Sequence, residues 1–426
     1  MPPVAGYTIT MSTHRNTSQQ RPCRVTLMEV DSARRIAVDG EPFFVKGAGG
    51  GFGNTDALGR HGANALRTWS TRDAGRVLEE AQKAGLMVLM GLTVIPERHG
   101  FDYDDVRAVR RQLDSLAAEV RSWKDHPALL GWGIGNELNL LATNPAVWNA
   151  VNDIAAMIHD VDGFHPATTM LAGIRKPVVD EITARAPDVD FLSVQMYGDI
   201  VNLRARIDEA GYTGPYLVTE WGATGHWEVP QTDWGAPIEQ TSSEKADAVL
   251  ERYRTAILGD AKNCMGSFVF LWGQKQERTP TWYGLFTERG EETEAIDVME
   301  YVWTGSRPES RAPRLTDISV DGRGRYASVV LSPGERATAR LAVEVLHGQV
   351  GVELQARAEI LPEATVLGEG GDYEPRPEPV AGVIDAATAE EISFTAPVSP
   401  GPYRLFAYVT DEHNHAATAN LPFLVK

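Results

Sequence analysis

Two short stretches decide the fold: Gly131-Trp-Gly-Ile-Gly-Asn-Glu137 and Tyr216-Leu-Val-Thr-Glu-Trp-Gly222. Each is a compact apolar run that ends on a polar residue, the pattern of a strand buried on both faces whose last residue emerges at a sheet edge. Working outward, the region from about Pro42 to Gly273 repeats one unit, a short apolar or β-branched run, a loop, then a stretch with helical spacing. The predicted strands are Phe43–Gly47, Ala63–Trp69, Met87–Leu92, Leu129–Ile134, Thr168–Ala172, Phe191–Met196, Tyr216–Glu220 and Ser267–Trp272. Helical spacing covers Arg72–Ala84, Asp105–Trp123, Ala146–Val161, Leu203–Glu209 and Glu244–Leu258. Eight strand–helix units in one run describe an α/β protein of the (β/α)8 TIM-barrel type better than an open parallel sheet.

The flanks read differently. Arg34–Gly47 alternates about Asp39-Gly40, a hairpin signal placed to close the N-terminal end of the barrel. After Gly305 the stretch Ser306–Pro313 has linker composition, and short alternating runs follow at Val343–Leu346, Val350–Ala358, Glu391–Thr395 and Tyr403–Val409. These indicate a C-terminal all-β sandwich of Ig-like type. The expected organisation is an N-terminal arm at 1–23, a barrel with its hairpin at 24–305, a linker at 306–313 and a sandwich at 314–426. The acidic, proline-containing stretch 369–379 reads as a long solvated loop, and the sandwich as a spacer, since only Tyr373, Tyr403 and Tyr408 could make an aromatic binding face.

Bulk properties narrow the function. The 426 residues are 43% hydrophobic and carry a net charge of −18, with no basic patch for a nucleic acid. Cys23 and Cys264 are the only cysteines, too few for a disulfide framework or a cysteine zinc site, and among His61, His99 and His126 no pair has metal-ligand spacing with a carboxylate partner. Neither a metal nor a cofactor is expected. The first thirty residues contain no leader-like apolar core and no long apolar run follows, so the expectation is a cytoplasmic protein without a membrane partner. Oligomeric state is left open.

Barrel enzymes work at the C-terminal ends of their strands. There the sequence sets Arg67 and Trp69 on the second strand, Asn136 and Glu137 on the fourth, Gln195 and Tyr197 on the sixth, Glu220 and Trp221 on the seventh, and Trp272 on the eighth. His226 and Trp227 lie in the long loop after the seventh, facing Trp282 and Tyr283 in the loop after the eighth. Two carboxylates, an arginine, two amides and several aromatic rings suit a carbohydrate: flat faces for pyranose rings, amides for hydroxyls, and a carboxyl pair for acid/base and nucleophilic work on a glycosidic bond. Arg67 and Tyr197 beside Glu220 would favour its ionised form, whereas Glu137 should sit among apolar or like-charged groups that keep its proton.

Asn136-Glu137, Tyr197, Glu220 and Trp272 in that strand order resemble the signature of the retaining glycoside hydrolases of clan A. Lys124–Glu137 together with Arg34–Gly47 is similar to the catalytic domains of families 2 and 5, over roughly residues 34 to 303. The resemblance implies Glu137 as acid/base, Glu220 as nucleophile, Asn136 as donor to the sugar 2-hydroxyl and Tyr197 as the partner that holds the nucleophile. Many clan members carry histidine where this chain has Gln195. The expected activity is hydrolysis of β-linked oligosaccharides or glycosides by double displacement. Two alternatives use the same residues: a transglycosylase, and an inactive carbohydrate-binding barrel.

Overall fold

The computed structural model describes residues 21–51, 54–344 and 352–426. Most of the expected N-terminal arm, and the junction between the two runs at Val343–Leu346 and Val350–Ala358, lie outside the described residues.

A three-stranded antiparallel sheet comes first: β1 Val25–Val30, β2 Ala33–Val38 and β3 Glu41–Phe43. Asp39 and Gly40 turn β2 into β3 with φ of 52° and 88°, the doubly left-handed backbone of a two-residue hairpin turn. Val25, Ile36 and Val38 pack on Val45, Leu89, Leu130, Leu217 and Phe268 inside the barrel, so this sheet plugs it.

Eight parallel strands then close on themselves: β4 Val45–Gly49, β5 Ala65–Arg67, β6 Met87–Leu92, β7 Leu129–Ile134, β8 Ala167–Ala172, β9 Phe191–Gln195, β10 Tyr216–Glu220 and β11 Cys264–Val269. β6, β7 and β10 keep the expected bounds because each is buried at every position, which leaves an uncharged run to read up to Glu220 at the end of β10. The last strand corrects the sequence reading: it ends at Val269 rather than Trp272, and Phe270–Trp272 already belong to the loop above it.

Helices α1 Thr55–Arg60, α2 Ala74–Lys83, α3 Val106–Trp123, α4 Ala146–Val161, α5 Lys176–Arg185, α6 Leu203–Ala210, α7 Ser242–Arg252 and α8 Glu294–Thr304 form the outer layer. Asp105 caps α3 by accepting from the Arg107 and Ala108 amides, and Thr241 with Glu244 makes a reciprocal capping box on α7. Beyond Arg252 the helix expected to reach Leu258 widens into a π turn at Tyr253–Ile257.

The remainder is a β-sandwich. One sheet orders β12 Arg314–Val320, β13 Arg323–Gly324, β15 Arg336–Glu344, β17 Ile384–Ala387 and β18 Glu391–Thr395 as β13-β12-β15-β18-β17. The other orders β14 Val329–Leu331, β16 Gln355–Pro362, β19 Gly401–Thr410 and β20 Ala416–Val425 as β14-β20-β19-β16. Leu315, Ile318, Ile392, Phe394, Leu405, Leu421 and Phe423 fill the space between them. β20 is apolar almost throughout because it is covered twice: one face meets the sandwich core, and along the other the Thr418 amide donates to Ser242 Oγ at the start of α7.

The junction between the two cores is polar and closed. The buried Glu239 carboxylate accepts from Lys245 Nζ, Thr279 Oγ1 (2.6 Å) and Thr281 Oγ1 (2.9 Å) of the barrel and from Asn420 Nδ2 (2.6 Å) of the sandwich. Arg404 adds bonds to Asn420 Oδ1 and the Pro237 carbonyl, and Arg325 one to the Glu239 carbonyl. Among the described residues no helix is long and apolar enough to cross a membrane.

Candidate active site

Glu220 is the last residue of β10, and its carboxylate is the centre of the barrel mouth. Arg67 Nη1 donates to Oε1 at 2.7 Å, Trp69 Nε1 at 2.8 Å and Gln195 Nε2 at 3.0 Å, while the Tyr197 hydroxyl donates to Oε2 at 2.9 Å. Four donors converge on this one carboxyl group, three on Oε1 and one on Oε2. Burial, then the nearby charge of Glu220, raises the Tyr197 phenol well above its usual value, so this hydroxyl stays a donor. Trp69 reaches Glu220 because Gly91 lies under its backbone: a Cβ there would stand 2.5 Å from the Trp69 carbonyl carbon.

Arg67 is 1% exposed and bonds in two directions. Its Nη1 serves Glu220 and the Thr219 carbonyl, and Nη2 donates to Asn136 Oδ1 at 2.6 Å. Gln195 Nε2 reaches the same Asn136 oxygen at 2.8 Å. With Oδ1 taken twice, the Asn136 amide has only its NH2 to offer the cavity.

Glu137 sits three residues past β7, on a turn where Gly135 has φ 71° and Glu137 itself φ 51°. A non-glycine residue is held in this left-handed backbone by bonds at both ends: its N–H donates to the Met170 carbonyl (3.0 Å) and its own carbonyl accepts from Arg98 Nη1 (2.9 Å). Burial and, after it, the charge of Glu220 push the Glu137 carboxyl up to about 8. The two glutamates therefore have different surroundings, one presented with four donors and one buried beside a like charge.

The pair opens into a cavity of about 800 Å³. Trp69, Asn136, Gln195, Tyr197, His226 and Trp227 line it with Glu137 and Glu220, so eight of the eleven residues singled out from the sequence meet here. Trp227 stands at the mouth, 58% exposed, edge-on to the Tyr197 ring at 5.6 Å and to His226 at 4.8 Å. Burial, then Arg278, lowers the His226 imidazole to about 4, leaving it neutral.

Three predicted contacts are placed elsewhere. Arg67 lies beneath the cavity and acts on it through Glu220 and Asn136. Trp221 is wholly buried against Tyr253, behind the strand rather than in front of it. Trp272 is also buried, wedged between Phe286, Trp303 and His61 with its Nε1 donating to the Asn54 carbonyl. Because β11 ends at Val269, Phe270 and Leu271 take the cavity wall in its place. Trp282 and Tyr283 are likewise buried, with Tyr283 supporting Tyr197 edge-on at 5.4 Å.

Other residues were missed. Gln274, Lys275 and Glu277, just past the last strand, line the cavity, and their position above a strand end was the signal that could have found them. Lys275 Nζ lies 2.8 Å from Glu277 Oε2. Burial raises the Glu277 carboxyl, with Lys275 pulling the other way. Glu369, Gly370 and Gly371 line it too, which overturns the reading of 369–379 as a merely solvated loop.

With this geometry in hand, solved structures offer a comparison. A family 2 β-galacturonidase from Eisenbergiella tayi, bound to galacturonate, aligns with a TM-score of 0.51 and 16% identity over 67% of this chain and 54% of that one. A β-D-glucuronidase from Dictyoglomus thermophilum gives 0.51 and 16% over 66% and 54%. A Bifidobacterium dentium β-glucuronidase complexed with coumarin-3-O-glucuronide gives 0.52 and 15% over 67% and 49%. The fold is the one these glycosidases use. The chain spans about half the length of the structures it matches. No described protein family matches the sequence, and no curated protein does.

Proposed function

We propose that the protein is a retaining β-glycoside hydrolase in which Glu220 attacks the anomeric carbon and Glu137 is the acid/base. The observation that carries this is the contrast between the pair: Glu220 accepts from four donors, while Glu137, buried beside it, holds its proton to about 8. In the first step Glu220 forms a bond to the anomeric carbon as that carbon's bond to the leaving oxygen breaks, and Glu137 gives that oxygen its proton. The Asn136 amide NH2, fixed by Arg67 and Gln195, is oriented to donate to the sugar 2-hydroxyl. Once Glu220 is esterified its negative charge is gone, the main electrostatic reason for the raised Glu137 value disappears, and Glu137 can take a proton from the incoming water.

The sugar is uncharged. Among the described lining residues Lys275 is the only lysine or arginine, and it is committed to Glu277 and to the Gly371 carbonyl at 2.7 Å. Glu137, Glu220, Glu277 and Glu369 face the same space, so a uronate would meet carboxylates without a free cation. Trp227 at the open mouth favours a second outcome, in which a stacked acceptor sugar replaces water and the product is a transglycoside.

The test is a panel of aryl β-glycosides with wild type, Glu137→Ala and Glu220→Ala. Hydrolysis should release the β-anomer first, and azide should rescue Glu220→Ala to an α-glycosyl azide. A β-azide from that variant would reverse the two roles, and release of the α-anomer by wild type would replace double displacement by inversion.

A further inference from the structure

The cavity is not built from the barrel alone. Glu369, Gly370 and Gly371 line it, yet they belong to the connection between β16 and β17 of the sandwich. Gly370 stands over the proton donor: a Cβ at this position would lie 3.1 Å from Glu137 Oε2, 3.0 Å from Arg98 Nη2 and 2.8 Å from Leu140 Cδ2. Its φ of +59° also belongs to the left-handed region, so both space and backbone call for glycine.

Three attachments hold the segment in place, and each joins it to a barrel loop. The Glu374 carboxylate is 2% exposed and accepts from the Arg278 backbone N–H (2.6 Å), Arg278 Nη1 (3.0 Å) and the Gly368 N–H (2.9 Å). Lys275 Nζ donates to the Gly371 carbonyl at 2.7 Å. His99 Nε2 faces the Asp372 carboxylate at 3.0 Å. Glu374 is the innermost of the three, and it binds the loop after β11 and its own segment with the same two oxygens.

We infer that residues 368–374 of the C-terminal domain are a working wall of the active site, with Glu374 the positioning residue that holds Gly370 against the Glu137 carboxyl. The inference rests on the hydrolase reading only for its effect on turnover; the placement itself does not. The wall covers one face of Glu137 and shields Oε2 from solvent on that side. The charged and titratable groups that act on Glu137 from the other sides are Glu220 at the end of β10, Arg67 on β5, Arg98 after β6 and Glu277 after β11. The wall itself adds Glu369, and Tyr197 and Lys275 complete the surroundings. Burial is the largest cause of the raised Glu137 value, and the two arginines oppose it. Release of the wall hydrates the carboxyl and so moves it toward an ordinary glutamate.

The experiment follows the Glu137 side-chain carboxyl by carbon-13 NMR titration in the full chain, with the resonance assigned by its loss in Glu137→Gln. Glu374→Ala, verified as folded by its melting curve, should lower the Glu137 midpoint by at least about one unit. Asp372→Ala, an exposed change that leaves Glu374 intact, should lower it by a few tenths, and stands in if Glu374→Ala does not fold. Midpoints within about 0.2 units of wild type in the folded variants would overturn the wall. This readout needs no substrate. A shifted midpoint in a protein that hydrolyses no glycoside would leave the wall standing and sink the hydrolase reading, whereas hydrolysis with an unshifted midpoint would do the reverse. In an active enzyme the alkaline limb of kcat/KM moves down with the midpoint.

Discussion

Replacing Glu137 by glutamine should stabilise the protein, and the gain should grow with pH. Burial and Glu220 raise this carboxyl from 4.5 to about 8, so between those values the folded chain holds a proton that the unfolded chain has released. Stability therefore falls as pH rises through that window, at up to about 1.4 kcal/mol per pH unit. Below about pH 4.5 both states are protonated and no cost is felt. Glutamine has the same shape and does not titrate, so its hydrogen-bonding differences are the same at every pH. Between about pH 5 and about pH 7.5 the stability of Glu137→Gln relative to wild type should rise by about 3 kcal/mol. Guanidinium unfolding of both proteins at the two pH values, compared by midpoint and slope, measures this difference. A change below about 0.5 kcal/mol would mean that Glu137 titrates as an ordinary glutamate, and the proton-donor assignment would fall with it.

Further tests bear on the chemistry. The kcat/KM of wild type should decline above about pH 8 as Glu137 loses its proton, and a limb lying near the ordinary glutamate value would contradict the assignment. Arg67→Met removes the guanidinium that orients both Glu220 and Asn136, and kcat should fall at least about a hundredfold, with little change if Arg67 is only structural. Trp227→Ala removes an exposed ring at the mouth; KM for a disaccharide or longer substrate should rise about tenfold with kcat nearly constant, and an equal loss with a compact aryl glycoside would place the ring at the reacting sugar instead. Aryl β-glucosides or β-galactosides should be cleaved at least about a hundred times more efficiently than the matching β-glucuronide; the reverse order would refute an uncharged sugar.

The barrel was legible wherever burial is uniform. Met87–Leu92, Leu129–Ile134 and Tyr216–Glu220 are covered on both sides, and no charged residue interrupts them before Glu220 at the end of the last one. The end of the last strand was not legible, because Phe270, Leu271 and Trp272 continue the apolar run of β11 while leaving the sheet. Tryptophan is also ambiguous by nature, since the same large face fills a core or meets a sugar. Trp69 and Trp227 reach the cavity, whereas Trp221 and Trp272 pack behind it, and only the three-dimensional position of Tyr253, Phe286 and Trp303 separates the cases. The wall at 368–374 escaped for another reason. Its glycines and acids have the composition of solvated chain, and the partners that order it lie 96 residues away at Lys275 and Arg278 and 273 residues away at His99. The pairing of Glu137 with Glu220 was visible because strand order alone brings both to one mouth.

The Glu239 junction bears on how the molecule comes apart. Its carboxylate is shared between Thr279 and Thr281 on one side and Asn420 on the other, and Arg404 bonds both to Asn420 and to the Pro237 carbonyl. Cutting the chain after the linker would leave a buried anion short of a donor and bare the α7 face that β20 covers. The two hydrophobic cores should therefore melt as one cooperative unit with a single heat-absorption peak, and two separated peaks would show that the barrel stands without the sandwich.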